Sequence, residues 1–221
     1  MKLIDLHAIN PVQEEFNPSQ LLPILLDDAI FPIPNEQLVI GKTEELMLRT
    51  SDTDFVYAIE QGVSALVLDK QIIDFVDENR FVGLHHSRQR LQSDFHVLAL
   101  SKELVVRKFE LTDVLAKIMN IQEGYLYHYH YMHRIYERYI QKIASLGEMN
   151  LDKVMQTLRS IALWYGDKEM YKEFTKIPIC FTRNILANYM GISRTTLGTV
   201  LTALQREKLV FINERQQLFV K

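Results

Sequence analysis

The sequence predicts an α+β protein in three parts: an N-terminal roll of short antiparallel strands, one long helix, and a C-terminal pair of helices followed by a hairpin. Three patterns carry that prediction. Between Gln37 and about Leu111, apolar residues come in short, often alternating runs separated by Asp, Asn, Gly and Ser. From about Asp113 to Leu146 they recur at three-four spacing. From Phe181 to Lys221, two short helical patterns flank a glycine and two strand-like runs follow.

Composition narrows the class. Hydrophobic residues make up 48% of the 221 positions, enough for a folded core and too many for a disordered chain. Apolar runs such as Leu21 to Leu26 are far shorter than the ~20 residues of a membrane helix. The opening MKLIDLHAINPVQEEF carries Asp5, His7 and two glutamates, unlike a signal peptide. The one cysteine, Cys180, leaves no intrachain disulfide and no thiolate-rich zinc or iron–sulfur site within one chain. A cytoplasmic protein without a membrane partner is expected.

Residues 1–36 begin with a helical pattern and pass through FPIPN, where Pro32 and Pro34 forbid a continuous helix. QLVIG, ELMLRT, DFVYAIEQG, SALVLD, QIIDFVDEN, FHVLALS and ELVVRKF then read as strands of an all-β barrel or roll of about eight strands. Asp74, Asp77 and Glu78 read as a turn rather than a site. LTDVLAKI opens a helix with Thr112 as its N-cap, and that helix is expected to run unbroken from about Asp113 to Leu146, ended by Gly147. Its stripe comprises Ile118, Ile121, Tyr125, Met132, Ile135, Tyr139 and Leu146, widened by Tyr129, Tyr136 and Ile143. Such a stripe needs a cover, and a second copy of the chain is the simplest one. A further helix, Leu151 to Trp164, stops near Gly166. The predicted units are therefore residues 1–112, 113–147 and 148–221.

The segment YLYHYHYMHRIYERY holds His128, His130 and His133. At ~100° per residue, His130 lies about 200° and His133 about 140° from His128, so the three cannot grip one ion on one helix. No metal site is expected, and the histidines read as mostly solvated. His128, at the stripe's edge, is a candidate pH-sensitive interface group.

Residues 181–221 carry the functional reading. Thr182 is placed to cap a helix from Arg183 to Met190, with Ile185, Leu186, Tyr189 and Met190 facing inward. Gly191 suits a left-handed turn, Ile192 plugs the corner, and Ser193 caps a second helix buried through Leu197, Val200, Leu201 and Leu204. Helix, glycine turn, helix is the helix-turn-helix pattern, whose second helix enters the DNA major groove by its first turns. Arg194 can bond guanine O6 and N7 with two prongs, while Thr195, Thr196 and Thr199 can meet base edges, phosphates or a thymine methyl. A phosphate is favoured near Ser193 at the helix N-terminus, and Gly198 permits close approach. KLVFINERQQLFVK then forms two strands around Asn213–Gln216, a wing with Arg215 at its tip. Residues 182–221 contain six basic and two acidic residues, a net of +4; since the whole chain carries −3, the rest carries −7. A basic tail on an acidic body points to a polyanionic partner.

FTRNILANYMGISRTTLGTVLTALQREKLV resembles the winged helix-turn-helix of CRP/FNR-type bacterial transcription regulators, and the upstream order of roll, long helix and reader is similar too. The resemblance implies a cyclic-nucleotide-binding-like jelly roll, a dimerisation helix and a DNA-binding domain. It implies Thr182, Arg183, Ser193, Arg194, Thr195, Thr196 and Thr199 as DNA-contacting residues. It also implies a homodimer on a palindromic site in double-stranded DNA, and contact with RNA polymerase if the protein activates transcription.

The departures from the family shape the expectation. Members that bind cyclic nucleotides carry a Gly-Glu pair and, eight to ten residues on, Arg-Ser or Arg-Thr. Here those places hold Gly83-Leu84 and Gln92-Ser93, with Arg88 and Arg90 nearby as the candidate substitutes. Regulation by cyclic AMP is therefore not expected, and no cofactor is assigned; His85-His86 reads as a polar loop rather than a haem ligand. In the reader, Thr195 and Thr199 stand where many members have glutamate and arginine. Shape readout and phosphate contacts should then carry more of the affinity. No nucleophile–base pair stands out, so no catalytic residue is expected. The alternative is a sensor module in which a small molecule bound by the roll controls DNA binding.

Overall fold

The computed structural model describes residues 20–29, 31–84, 95–171 and 173–221. The helical pattern expected before residue 20 lies outside them, as do Arg88, Arg90, Gln92-Ser93 and His85-His86.

Eight strands form the roll: β1 (Asn35–Gly41), β2 (Glu45–Met47), β3 (Phe55–Gln61), β4 (Ser64–Leu68), β5 (Gln71–Val76), β6 (Phe81–Val82), β7 (Phe95–Ala99) and β8 (Glu103–Glu110). They build two four-stranded antiparallel sheets, ordered β1-β8-β3-β6 and β2-β7-β4-β5. Alternation along the strands sends one face of each sheet inward. Leu48, Tyr57, Ile59, Leu66, Val76, Val97, Leu104 and Val106 fill that interior. Side chains thus occupy the space between the sheets.

Three helices close the other face of the first sheet: α1 (Leu21–Leu26), α2 (Leu111–Asn120) and α3 (Gln122–Leu146). Leu21, Leu25, Phe81, Phe109, Val114, Ile118 and Tyr131 bury one another there. Lys117 is fully buried and donates to Leu25 O (2.9 Å) and Asp27 O (2.7 Å), so its charge meets the carbonyl end of α1.

The expected single long helix is two. Ile121 is extended (φ −120°, ψ 122°), and α2 ends there before α3 begins. Gly124 explains the break: a Cβ at that position would lie 2.9 Å from Ile118 O, so the first turn of α3 packs directly on the backbone of α2. Thr112 is not the cap of α2; Glu110 occupies that position, in extended backbone continuing from β8.

After α3 come α4 (Asn150–Tyr165), the hairpin β9 (Asp167–Tyr171) and β10 (Phe174–Lys176), α5 (Arg183–Met190), α6 (Arg194–Arg206), β11 (Val210–Ile212) and β12 (Leu218–Val220). The wing is broader than its sequence indicates, since β9 and β10 extend it to a four-stranded sheet ordered β11-β12-β10-β9.

The stripe on α3 divides between two sides of the helix. Met132 and Ile135 pack against the roll with Tyr131. Tyr125, Tyr129, Tyr136, Ile140 and Ile143 lie on the other side and are exposed, Tyr136 and Ile143 each at 64%. His133 is exposed as well, with Nδ1 3.4 Å from Glu137 Oε1. His128 is half-buried, and burial lowers its pKa. Among the described residues no group of three or more His, Cys, Asp or Glu is placed to hold a metal ion, and no helix is long and apolar enough to cross a membrane.

Candidate nucleic-acid interface

The C-terminal helix pair is fixed by its ends. Thr182 Oγ1 accepts from Ile185 N (3.4 Å) at the start of α5. Gly191 ends that helix in the left-handed region (φ +66°), which glycine enters at the least steric cost, and Ile192 N reaches back to Ala187 O at 3.1 Å. Ser193 Oγ then accepts from Thr196 N (3.0 Å) and starts α6. Leu186, Met190, Leu197, Leu201 and Leu204 are buried between the two helices and α4, with Ile185, Tyr189, Ile192 and Val200 packed partly against them.

With its apolar side so committed, α6 turns its other side to solvent. Ser193, Arg194, Thr195 and Thr199 are exposed, and Thr196 is half-buried behind the cap. Thr182 and Arg183 are exposed at the start of α5, and Arg215 at the wing tip. Two hydrogen bonds join these pieces. Arg194 Nη1 donates to Asn184 Oδ1 (2.9 Å), tying the head of α6 to the first turn of α5. Arg183 Nη2 donates to Gln216 Oε1 (3.1 Å), tying α5 to the wing. The wing turn is itself held by Asn213 Oδ1, which accepts from the amides of Arg215 (3.0 Å) and Gln217 (2.9 Å). Asn184, Asn213 and Gln216 escape sequence reasoning, because nothing in their local spacing marks the bonds they make.

Gly198 has open space where a side chain would be: a Cβ there meets nothing within 4 Å. Among the described residues nothing requires glycine at this place. Thr199 Oγ1 donates to Thr195 O (3.1 Å) and Thr202 Oγ1 to Gly198 O (3.0 Å). The Thr199 hydroxyl therefore keeps acceptor capacity for an incoming donor.

This surface can accept a polyanion. Its guanidiniums are bonded to neutral amides, so their charge is held in place and not cancelled, and the N-terminus of a 13-residue helix opens among them.

Solved structures match the whole arrangement. A cyclic nucleotide-binding domain containing protein from Listeria monocytogenes superposes with a TM-score of 0.74 at 13% identity, covering 92% of this chain and 96% of that one. FixK2 from Bradyrhizobium japonicum superposes at 0.70 and 13% identity over 86% and 93%. A CRP-family transcriptional regulator from Thermus thermophilus superposes at 0.62 and 17% identity over 83% and 91%. The chain has the CRP/FNR-type fold. No family model matches its sequence, and no curated protein does either.

Leu84, 5% exposed, is buried in one cluster with Leu21, Leu25, Val56 and Phe81. A cavity of about 300 Å³ lies at the junction of roll and α3, walled by Asp74, Phe81, Tyr131, Arg138 and Trp164 among others.

Asp74 also corrects the sequence reading. It is no turn residue: it lies within β5, 6% exposed, with Oδ1 2.5 Å from Arg138 Nη2. Burial pushes its carboxyl above the ordinary range, and Arg138 pulls it part of the way back. Asp77 and Glu78 do lie at the turn that follows.

Proposed function

We propose that the chain is a sequence-specific DNA-binding transcription regulator. The observation that carries this reading is the exposed head of α6: Arg194 fixed by Asn184, flanked by Thr195, Thr196 and Thr199, and started by the Ser193 cap. A helix led by a guanidinium and small hydroxylic residues fits the major groove. Thr182 and Arg183 would contact phosphates, and Arg215 would reach one from the wing tip.

The exposed face of α3 supports a homodimer. Tyr129, Tyr136 and Ile143 recur every seven residues, His133 and Ile140 fall between them, and a second copy of the helix would cover them all. Two readers would then meet successive major-groove faces, so half-sites about one turn apart are expected. The buried Leu84 supports independence from cyclic AMP. Contact with RNA polymerase would follow if the protein activates.

A gel shift or footprint on DNA upstream of the chain's own gene tests the reading, with Arg194→Ala as the control. Sequence-preferring binding that this variant loses supports it. Unchanged binding by the variant would remove the role given to Arg194.

The junction cavity favours a second reading, in which a small molecule bound between roll and α3 controls DNA binding. Calorimetry with nucleotides and metabolites discriminates, because the first reading requires no heat of binding.

A further inference from the structure

The segment YLYHYHYMHRIYERY lies wholly on α3, and its exposed side is a regular seam. Leu126, His133 and Ile140 stand seven residues apart, and Tyr129, Tyr136 and Ile143 interleave with them at alternating steps of three and four. These are the a and d positions of a heptad. All six residues are exposed. The roll takes the opposite side of the helix, through Tyr131, Ile135 and Arg138.

His133 is the exception among them, a basic ring in the middle of an aliphatic and aromatic series. That ring lies along the seam, its centroid 6.4 Å from that of Tyr129, and its Nδ1 is 3.4 Å from Oε1 of Glu137, one turn on and ~40° round the helix. In a parallel pair an a residue meets its own copy, so two imidazoles would face each other with a carboxylate beside each. Burying two rings there with their polar atoms unmatched costs stability. Metal ligation removes that cost. Each imidazole can give a lone pair, the carboxylate one turn on can reach the same ion, and histidine with carboxylate is a zinc ligand set. One chain offers two such ligands, too few for a closed site, whereas the pair offers up to four. His130 stands on the flank, edge-on to the Tyr129 ring at 5.5 Å, and His128 is half-buried ~140° round the helix from His133, outside the seam.

We propose that His133 and Glu137 from two copies of α3 form a zinc-type metal site on the dimer seam, and that ion binding there tightens the pair. The site rests on the homodimer proposed above and is incomplete without the second copy. Tyr129 and Tyr136, the seam residues before and after His133, would screen the ion from water. Imidazole nitrogen selects a borderline dication such as zinc over calcium, which takes oxygen ligands. Because the site exists only in the pair, the ion favours the pair by mass action. Tighter pairing in turn strengthens binding to a two-reader DNA site relative to one half-site.

The test uses the untagged full chain after chelator treatment, with zinc as the probe and calcium as the control. Calorimetry reads the ion stoichiometry, and sedimentation equilibrium reads the dimer dissociation constant with and without zinc. Expected are one strong zinc site per two chains and a dimer constant lowered ~10-fold or more by zinc at ~100 times its own dissociation constant, with no response to calcium. His133→Leu should lose that zinc site and pair at least as tightly as the metal-free chain, because leucine packs an apolar seam. Glu137→Gln should weaken zinc binding by at least the ~10-fold that losing an outer-shell partner costs, and leave the metal-free dimer intact. His128→Ala should bind zinc as the wild type does. A wild-type dimer whose constant ignores zinc overturns the site and leaves the dimer standing, and so does zinc binding that is undiminished in His133→Leu. A chain that stays monomeric with and without zinc overturns the homodimer, and the site with it.

Discussion

Asn184 Oδ1 accepts a 2.9 Å hydrogen bond from Arg194 Nη1, so the guanidinium assigned to base reading is held by the preceding helix before DNA arrives. Pre-organisation of this kind lowers the ordering cost of binding. Arg194→Ala should cost ~1–3 kcal/mol on the best site and relax preference at one position of each half-site. Asn184→Ala should cost less and keep the preferred base, because the guanidinium remains. Binding to a set of single-base variants of the site checks both. Equal loss of discrimination in the two variants would mean that Asn184 itself reads DNA.

Gly198 lies in the middle of α6, where glycine costs a helix ~1 kcal/mol relative to alanine. The empty space around it gives no internal reason to retain it. Gly198→Ala should therefore raise thermal stability by that amount and weaken DNA binding, because the added methyl stands where the duplex backbone approaches. Thermal unfolding and a binding titration on the same preparation measure the two effects. A stabilised variant with undiminished binding would show that the helix does not seat that deeply.

Tyr136 and Ile143 are solvent-facing in the single chain, so replacing them should barely disturb its own fold. In the proposed dimer they lie at the seam, where buried glutamates would be unpaired. The double variant Tyr136→Glu, Ile143→Glu is expected to sediment as a monomer with near-wild-type circular dichroism and to lose most of its affinity for a palindrome. A variant that still sediments as a dimer would place the seam elsewhere on the chain.

What the sequence discloses follows from the range of the interactions. Thr182, Gly191 and Ser193 act within four residues, so the helix-turn-helix was readable to within a residue at its caps. The roll's strands were readable for a similar reason, since alternation records which face is buried. Asp74 was not: its partner Arg138 is 64 residues away, and a lone aspartate before Asp77 and Glu78 looks like the beginning of a turn. The break at Ile121 depends on Gly124 packing against Ile118, where the local apolar spacing continues undisturbed. β9 and β10 owe their place to β12, more than forty residues further on. The stripe on α3 misleads for yet another reason, because periodicity records that residues are covered and not by what. Met132 and Ile135 belong to the roll side, while Tyr125, Tyr129, Tyr136, Ile140 and Ile143 stay exposed.

Asp77 gives the chain a pH dependence of definite sign. Burial at the start of the β5–β6 turn pushes its carboxyl up from 3.8 to about 6, even with Arg80 Nε 3.0 Å away. A carboxyl that titrates near 6 when folded and near 4 when unfolded holds its proton more tightly in the folded chain. Between those values the unfolded state binds fewer protons, so this residue's contribution to stability falls as pH rises through the window, and the loss is complete above it. Asn is isosteric and cannot ionise. Asp77→Asn should therefore leave stability unchanged near pH 4 and raise it by ~1 kcal/mol at pH 7, a figure discounted for the carboxyl's partial contact with water. Thermal unfolding of both proteins at pH 4, 5, 6 and 7 measures the difference directly. If the variant is less stable at pH 7, the Arg80 ion pair outweighs the burial cost, and the sign is reversed.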